Sequence, residues 1–141
     1  MRTSWLFWSL LSAVFAAATA ILGKIGVTGL DSNLATAIRT SVVVVFTWTI
    51  AIATVQEEVM STIPGRAWLF LTLSGIATGL SWLCYFRALQ LGPASRVAPV
   101  DKLSVVFVLL LAAVFLGERL TASKAVGGLM IAAGAIVLAW E

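Results

Sequence analysis

Long apolar runs alternate with short polar or glycine-proline breaks along the whole chain. A helix that crosses a bilayer needs about 20 mostly apolar residues, and the pattern supplies five such runs: Trp5–Leu22, Leu34–Val55, Ala67–Leu91, Ala94–Leu116 and Ala122–Trp140. The breaks carry helix stop and start chemistry. Gly23, Gly26 and Gly29 are placed to end the first helix, since glycine takes the backbone conformations a helix end requires. Asp31, Ser32 and Asn33 offer side-chain caps to the second helix, and Thr121 offers one to the fifth. The third follows Pro64-Gly65. Gly92-Pro93 splits the third from the fourth, with Pro93 expected as a first helical residue. Short joints make consecutive helices antiparallel. The expected fold is an all-α membrane protein of five transmembrane helices, with residues 1–141 as one transmembrane domain.

The runs are not uniform inside. At about 100° per residue, Trp5, Ser9, Ser12, Ala16, Thr19 and Gly23 share one side of the first helix, and Thr36, Thr40, Val43, Thr47 and Thr54 one side of the second. In the third, Ser74, Thr78, Ser81 and Tyr85 form one stripe beside Gly75, Gly79, Trp82 and Phe86. Gly128, Ala132, Ala135 and Ala139 align in the fifth. Small residues let helices approach closely in lipid, where packing rather than hydrophobicity drives association. The fifth-helix stripe reads as a packing seam and as a plausible dimer contact. The hydroxyl stripes have two readings, helix packing or the lining of a pocket. On the second, Ser12, Thr47, Trp48, Thr78, Ser81 and Trp82 are the candidate substrate pocket.

Composition supports a lipid environment. The chain is 61% hydrophobic and 11% charged, whereas soluble domains carry about a quarter charged residues. The net charge of +3 is scattered, so no basic block points to nucleic acid. The chain has one cysteine, Cys84, and no histidine. With no imidazole, no thiol outside the apolar runs and no carboxylate cluster, neither an enzyme nor a metal or cofactor site is expected. The first run also has the basic start, apolar middle and Ala18-Thr19-Ala20 of a cleavable signal segment. Four spans follow it, so either reading gives a multi-pass protein.

Five spans put the two ends of the chain on opposite sides. Arg2, Arg66, Arg119 and Lys124 fall on the N-terminal side; Lys24, Arg39, Arg87, Arg96 and Lys102 fall on the other. This bias is weak. Leaving out Arg39, Arg87 and Lys102, which lie within spans, favours a cytoplasmic N-terminus. A bias this weak also permits insertion in both orientations, so fixed and dual topology both stay open.

Charges within the runs are the features most in need of explanation. Arg39, Arg87, Asp101 and Lys102 each lie inside a predicted span and all measure from the same side of the membrane. Asp101, in "VAPVDKLSVV", is about seven residues in, or roughly 10 Å deep. Long basic side chains snorkel outward, but an aspartate is too short and needs a partner. Arg39, Arg87 and Lys102 are the candidates. Pro99 removes one backbone bond and kinks this helix. Intramembrane ionisable groups mark pathways or structural pairs. The four charges are therefore read as a gate or charged collar, with a structural ion-pair cluster as the other reading. Asp101 is the one carboxylate within a span and so the obvious proton carrier if transport were proton-coupled.

"YFRALQLGPASRVAPVDKLSVV", followed by "LLAAVFLGERLTASKAVGGLMIAAGAIVL", resembles the EamA-type domain of the drug/metabolite transporter superfamily. "GKIGVTGLDSNLATAIRTSVVV" fits the same short, five-span bacterial and archaeal branch. The resemblance extends over essentially the whole chain. It implies half of an inverted-repeat transporter of small metabolites or drugs, working by alternating access in the inner (cytoplasmic) membrane. A second, inverted copy would complete the repeat, so the expected partners are the lipid bilayer, a small-molecule substrate and a second copy in an antiparallel homodimer. In such a pair the uncharged middle zone favours a neutral, zwitterionic or amphipathic substrate. A lipid-linked sugar flippase and a non-transporting subunit of a hetero-complex are the alternatives.

Overall fold

The computed structural model describes residues 2–55 and 62–140. Its helices are α1 (Arg2–Gly26), α2 (Ser32–Thr54), α3 (Gly65–Leu91), α4 (Ala94–Asp101), α5 (Ser104–Phe115) and α6 (Ala122–Trp140). No strand occurs among the described residues. α4 and α5 form one crossing, which gives five helices long and apolar enough to span a membrane. Hydrocarbon offers no partner to a backbone N–H or C=O, so a crossing segment must satisfy its own backbone, as a helix does.

Several helix ends follow the capping chemistry. Asp31 is the N-cap of α2 and accepts from the N–H groups of Asn33 at 2.9 Å and Leu34 at 3.1 Å. The Thr121 hydroxyl oxygen accepts from the Lys124 N–H at 3.3 Å at the start of α6. Two ends differ from expectation. Helix α1 runs through Gly23 and stops at Gly26, because a mid-helix glycine costs about 1 kcal/mol, less than a broken backbone bond in an apolar setting. The chain then turns at Gly29, whose φ of +77° suits glycine. Pro93 is the N-cap of α4 rather than its first helical residue, with ψ at 146° and its carbonyl accepting from the Arg96 and Val97 N–H groups at 3.1 Å.

The fourth crossing breaks one turn beyond Pro99. Lys102, Leu103, Val105 and Val106 each donate to the carbonyl three residues back, at 3.0 Å. This is 3₁₀ geometry, which tightens the chain where regular helix is lost. The helical face that an unbroken helix would carry from Asp101 to Ser104 and Val108 is interrupted there.

By contacts the chain divides into two compact units, residues 1–25 with 91–141, and residues 26–90. In the first, α4 and α5 pack on α6. Gly128 is buried, and a Cβ placed on it would lie 3.0 Å from Leu109 Cδ1. Ala135 is also buried, at 4% exposure, while Ala132 and Ala139 are half-buried. The small-residue stripe of the fifth span is thus occupied within the chain at Gly128. Lys24 Nζ donates to the Gly92 carbonyl at 2.8 Å and ties the end of α1 to the start of the fourth span. In the second unit, Gln90 Nε2 donates to the Leu30 carbonyl and joins the end of α3 to the turn before α2. Val27, Phe86 and Leu89 are buried there.

Little else is covered. At most 11% of any span window is buried, and side chains such as Phe15, Val45, Leu71 and Val114 are more than half exposed. Lipid tails solvate such residues at no cost, so the spans need no extensive apolar core.

Leu109 Cδ1 is the end of a flexible side chain, so Gly128→Ala should be tolerated. Gly128→Ile should lower stability by about 1–3 kcal/mol through overpacking, and adding Leu109→Ala should recover part of the loss. Thermal unfolding in detergent measures both.

Candidate functional site

Arg39 lies seven residues past the start of α2, about 10 Å along the helix axis. Its guanidinium does not reach for the membrane surface. It stacks on the Trp82 ring of α3 at 4.1 Å from the centroid, with the Phe86 ring at 5.5 Å. Phe86 is one turn nearer the end of α3 at Leu91, so the charge sits closer to the deeper ring. Side chains tilt toward the N-terminus of their own helix. That tilt carries Trp82 deeper and Arg39 shallower, so the stack holds Arg39 against its own tendency to snorkel. A cation on an indole face gains about 0.5–2 kcal/mol, more when desolvated. No described residue accepts a hydrogen bond from the Arg39 guanidinium.

The other charges of the predicted collar find local partners. Arg87 Nη1 donates to Gln90 Oε1 at 2.9 Å, and Gln90 in turn holds the Leu30 carbonyl. Asp101 pairs with Lys102, Nζ to Oδ2 at 3.2 Å. Of its three candidate partners, Asp101 therefore takes the one on its own span. Consecutive helical side chains diverge by about 100°, but Lys102 is the cap residue after α4. Its long side chain curls back at the break between α4 and α5. Arg39 and Arg87 lie together in the second unit, whereas Asp101 and Lys102 lie in the first.

Six hydroxyls of the stripes are engaged by their own backbone. Ser9, Thr36, Thr40, Thr47, Thr54 and Thr78 each donate to the carbonyl four residues earlier, at 2.7–2.9 Å. Such back-bonding satisfies the proton in an apolar medium and leaves the oxygen lone pairs as acceptors. Of the candidate pocket, Ser12, Thr47, Trp48, Thr78 and Ser81 are exposed on the chain, and Trp82 is half-buried.

A groove of about 470 Å³ lies in the second unit and is lined by Asn33, Thr36, Thr40, Ser41, Gly79 and Leu83, among others. It is nearer the start of α2 than the pocket expected around Thr47 and Trp48. Thr36 and Thr40 belong to the hydroxyl stripe; Asn33 and Ser41 lie off it, and only their position beside α3 reveals them. In the first unit a second groove, of about 380 Å³, opens at the broken helix and is lined by Val100, Leu103, Ile136, Ala139 and Trp140.

Five apolar helices, charges engaged within the spans and hydroxyls turned onto their own backbone define a multi-pass α-helical membrane protein. Residues 3–140 match the EamA-like transporter family. The chain is also 55% identical, over 139 residues that make up 99% of each protein, to a Sinorhizobium sp. protein named "Uncharacterized transporter in cobO 3'region". No solved structure matches it. The chain belongs to the EamA-like transporter family and is a membrane transporter.

Arg39 and Trp82 should be energetically coupled. In a double-mutant cycle with Arg39→Met and Trp82→Leu, unfolding in bicelles should give a coupling of about 0.5–2 kcal/mol. Additive losses would mean that the stack contributes nothing.

Proposed function

We propose that the chain is one half of an alternating-access transporter for small metabolites or drugs, working as an antiparallel homodimer in the inner membrane. The observation that carries this reading is the odd number of crossings in a chain whose 55% identical relative has essentially the same length. Odd crossings put the two ends on opposite faces, so two copies of opposite orientation make an inverted repeat. In transporters of that architecture the substrate site lies between the repeats, near the midplane.

The exposure of Ser12, Thr47, Trp48, Thr78 and Ser81 supports the same reading. Their own chain leaves them uncovered, and a second copy placed against them would convert the stripes into pocket walls. Arg39 and Arg87 in one unit, and Asp101 and Lys102 in the other, are the charged collar positions of each copy; the two copies repeat them near opposite surfaces, where they control access. The break in the fourth crossing, one turn beyond Pro99, supplies the hinge, since a 3₁₀ stretch bends more readily than a regular helix. Gly128 and Ala135 serve packing inside each copy, which leaves Ala132 and Ala139 as the part of the stripe available to the partner. The work done is transport, with no bond made or broken.

In a Cys84→Ala background, Leu120→Cys should be labelled by an impermeant maleimide from both sides of the membrane, in similar amounts. Labelling from one side alone contradicts an antiparallel pair. Replacing Asp101 with lysine should change the transport rate several-fold in proteoliposomes while the protein stays folded; an unchanged rate removes the collar.

A further inference from the structure

We propose that Arg39 is the site at which this transporter recognises its substrate, and that the substrate carries a carboxylate. The inference rests on the transport reading and narrows it to a substrate class. Three observations converge within the second unit. The guanidinium lies in a span, stacked on Trp82 and close to Phe86. No described residue accepts a hydrogen bond from it. Of the other two arginines of the same span pair, Arg87 is already bonded to Gln90, and Arg66 lies at the opposite end of α3, 5.7 Å from the Phe70 ring centroid.

Stacking uses the face of a guanidinium and leaves its edge, where all five N–H donors lie, pointing away from the ring. In hydrocarbon such donors need an acceptor. The fork matches the two oxygens of a carboxylate, which binds it through two parallel N–H···O bonds. Charge narrows the class. One guanidinium balances one negative charge, whereas a phosphate dianion would leave a net charge in a low-dielectric site.

Helix α3 has 27 residues, about 40 Å, so each end passes the roughly 30 Å hydrocarbon core by about 5 Å, and Trp82, nine residues before Leu91, lies about 8 Å inside the core. The guanidinium is drawn toward that ring. Lipid phosphates lie outside the hydrocarbon core, and the lipid arm of the test below separates them from a solute. Around Arg39 on α2, Thr36 and Thr40 have committed their protons to the backbone and do not compete with it for the anion.

The test uses the full chain in nanodiscs and proteoliposomes made only of phosphatidylcholine. Four acids (acetate, benzoate, 3-phenylpropionate and phenylalanine) are each compared with their amides, by thermal stabilisation and by counterflow. At least one acid should stabilise the protein and exchange, with its amide at least about tenfold weaker. Arg39→Lys, which keeps the charge but not the fork, should weaken that acid about tenfold, and Arg39→Met should abolish its effect. The proposal is overturned if no acid binds, if acid and amide behave alike, or if acid binding survives Arg39→Met. It is also overturned if stabilisation through Arg39 appears only when phosphatidylglycerol is added, which assigns the residue to lipid. Counterflow of acid and amide alike leaves transport standing without the carboxylate site. Acid binding without counterflow supports the Arg39 site and counts against transport.

Discussion

A backbone amide that enters hydrocarbon without a partner costs several kcal/mol, and the architecture of this chain follows from that cost. It keeps α1 helical through Gly23 and brings Asp31 and Thr121 to the ends of α2 and α6. It turns hydroxyl protons such as those of Ser9, Thr40 and Thr78 onto carbonyls of their own helices. Where the fourth crossing loses regular helix beyond Pro99, its backbone stays paired. It shifts to bonds three residues apart over Lys102–Val106 and resumes as α5.

Charge and side-chain donors are handled largely by the same logic. Lys24 and Gln90 lend their donors to carbonyls in loops, where helices have ended and acceptors are in surplus. Asp101 and Lys102 neutralise each other at the helix break. Arg39 is different: it is held by aromatic faces, which satisfy its charge but none of its hydrogen-bonding capacity. A residue stabilised in this manner is kept in the span while staying available to an incoming acceptor.

The spans and most of their ends were legible from residue order, because apolar run length and capping chemistry are local properties. Pro93 and Gly23 were misplaced by small margins, since proline's φ suits the cap as well as the first turn and a lone glycine is affordable in an apolar helix. The partners of the charges were legible only as a set of candidates. Depth follows from counting residues, but the direction in which a side chain points depends on how neighbouring helices are rotated. Thus counting left Arg39, Arg87 and Lys102 as equal candidates for Asp101, whereas Asp101 meets Lys102 and Arg39 meets Trp82. The use of Gly128 against Leu109 was hidden for the same reason.

The exposed polar and aromatic positions of the spans, together with an odd number of crossings, make the second inverted copy the central claim. It is tested most directly by tandem fusion. Joining the last residue of one copy straight to the first residue of the next forces the two into opposite orientations, because each copy crosses five times. Inserting one extra transmembrane helix at the junction forces the same orientation. Flux in proteoliposomes, measured with any solute the unfused chain carries, should persist in the direct fusion and disappear in the fusion with the added helix. Equal flux from both, or flux only from the parallel one, would contradict the account.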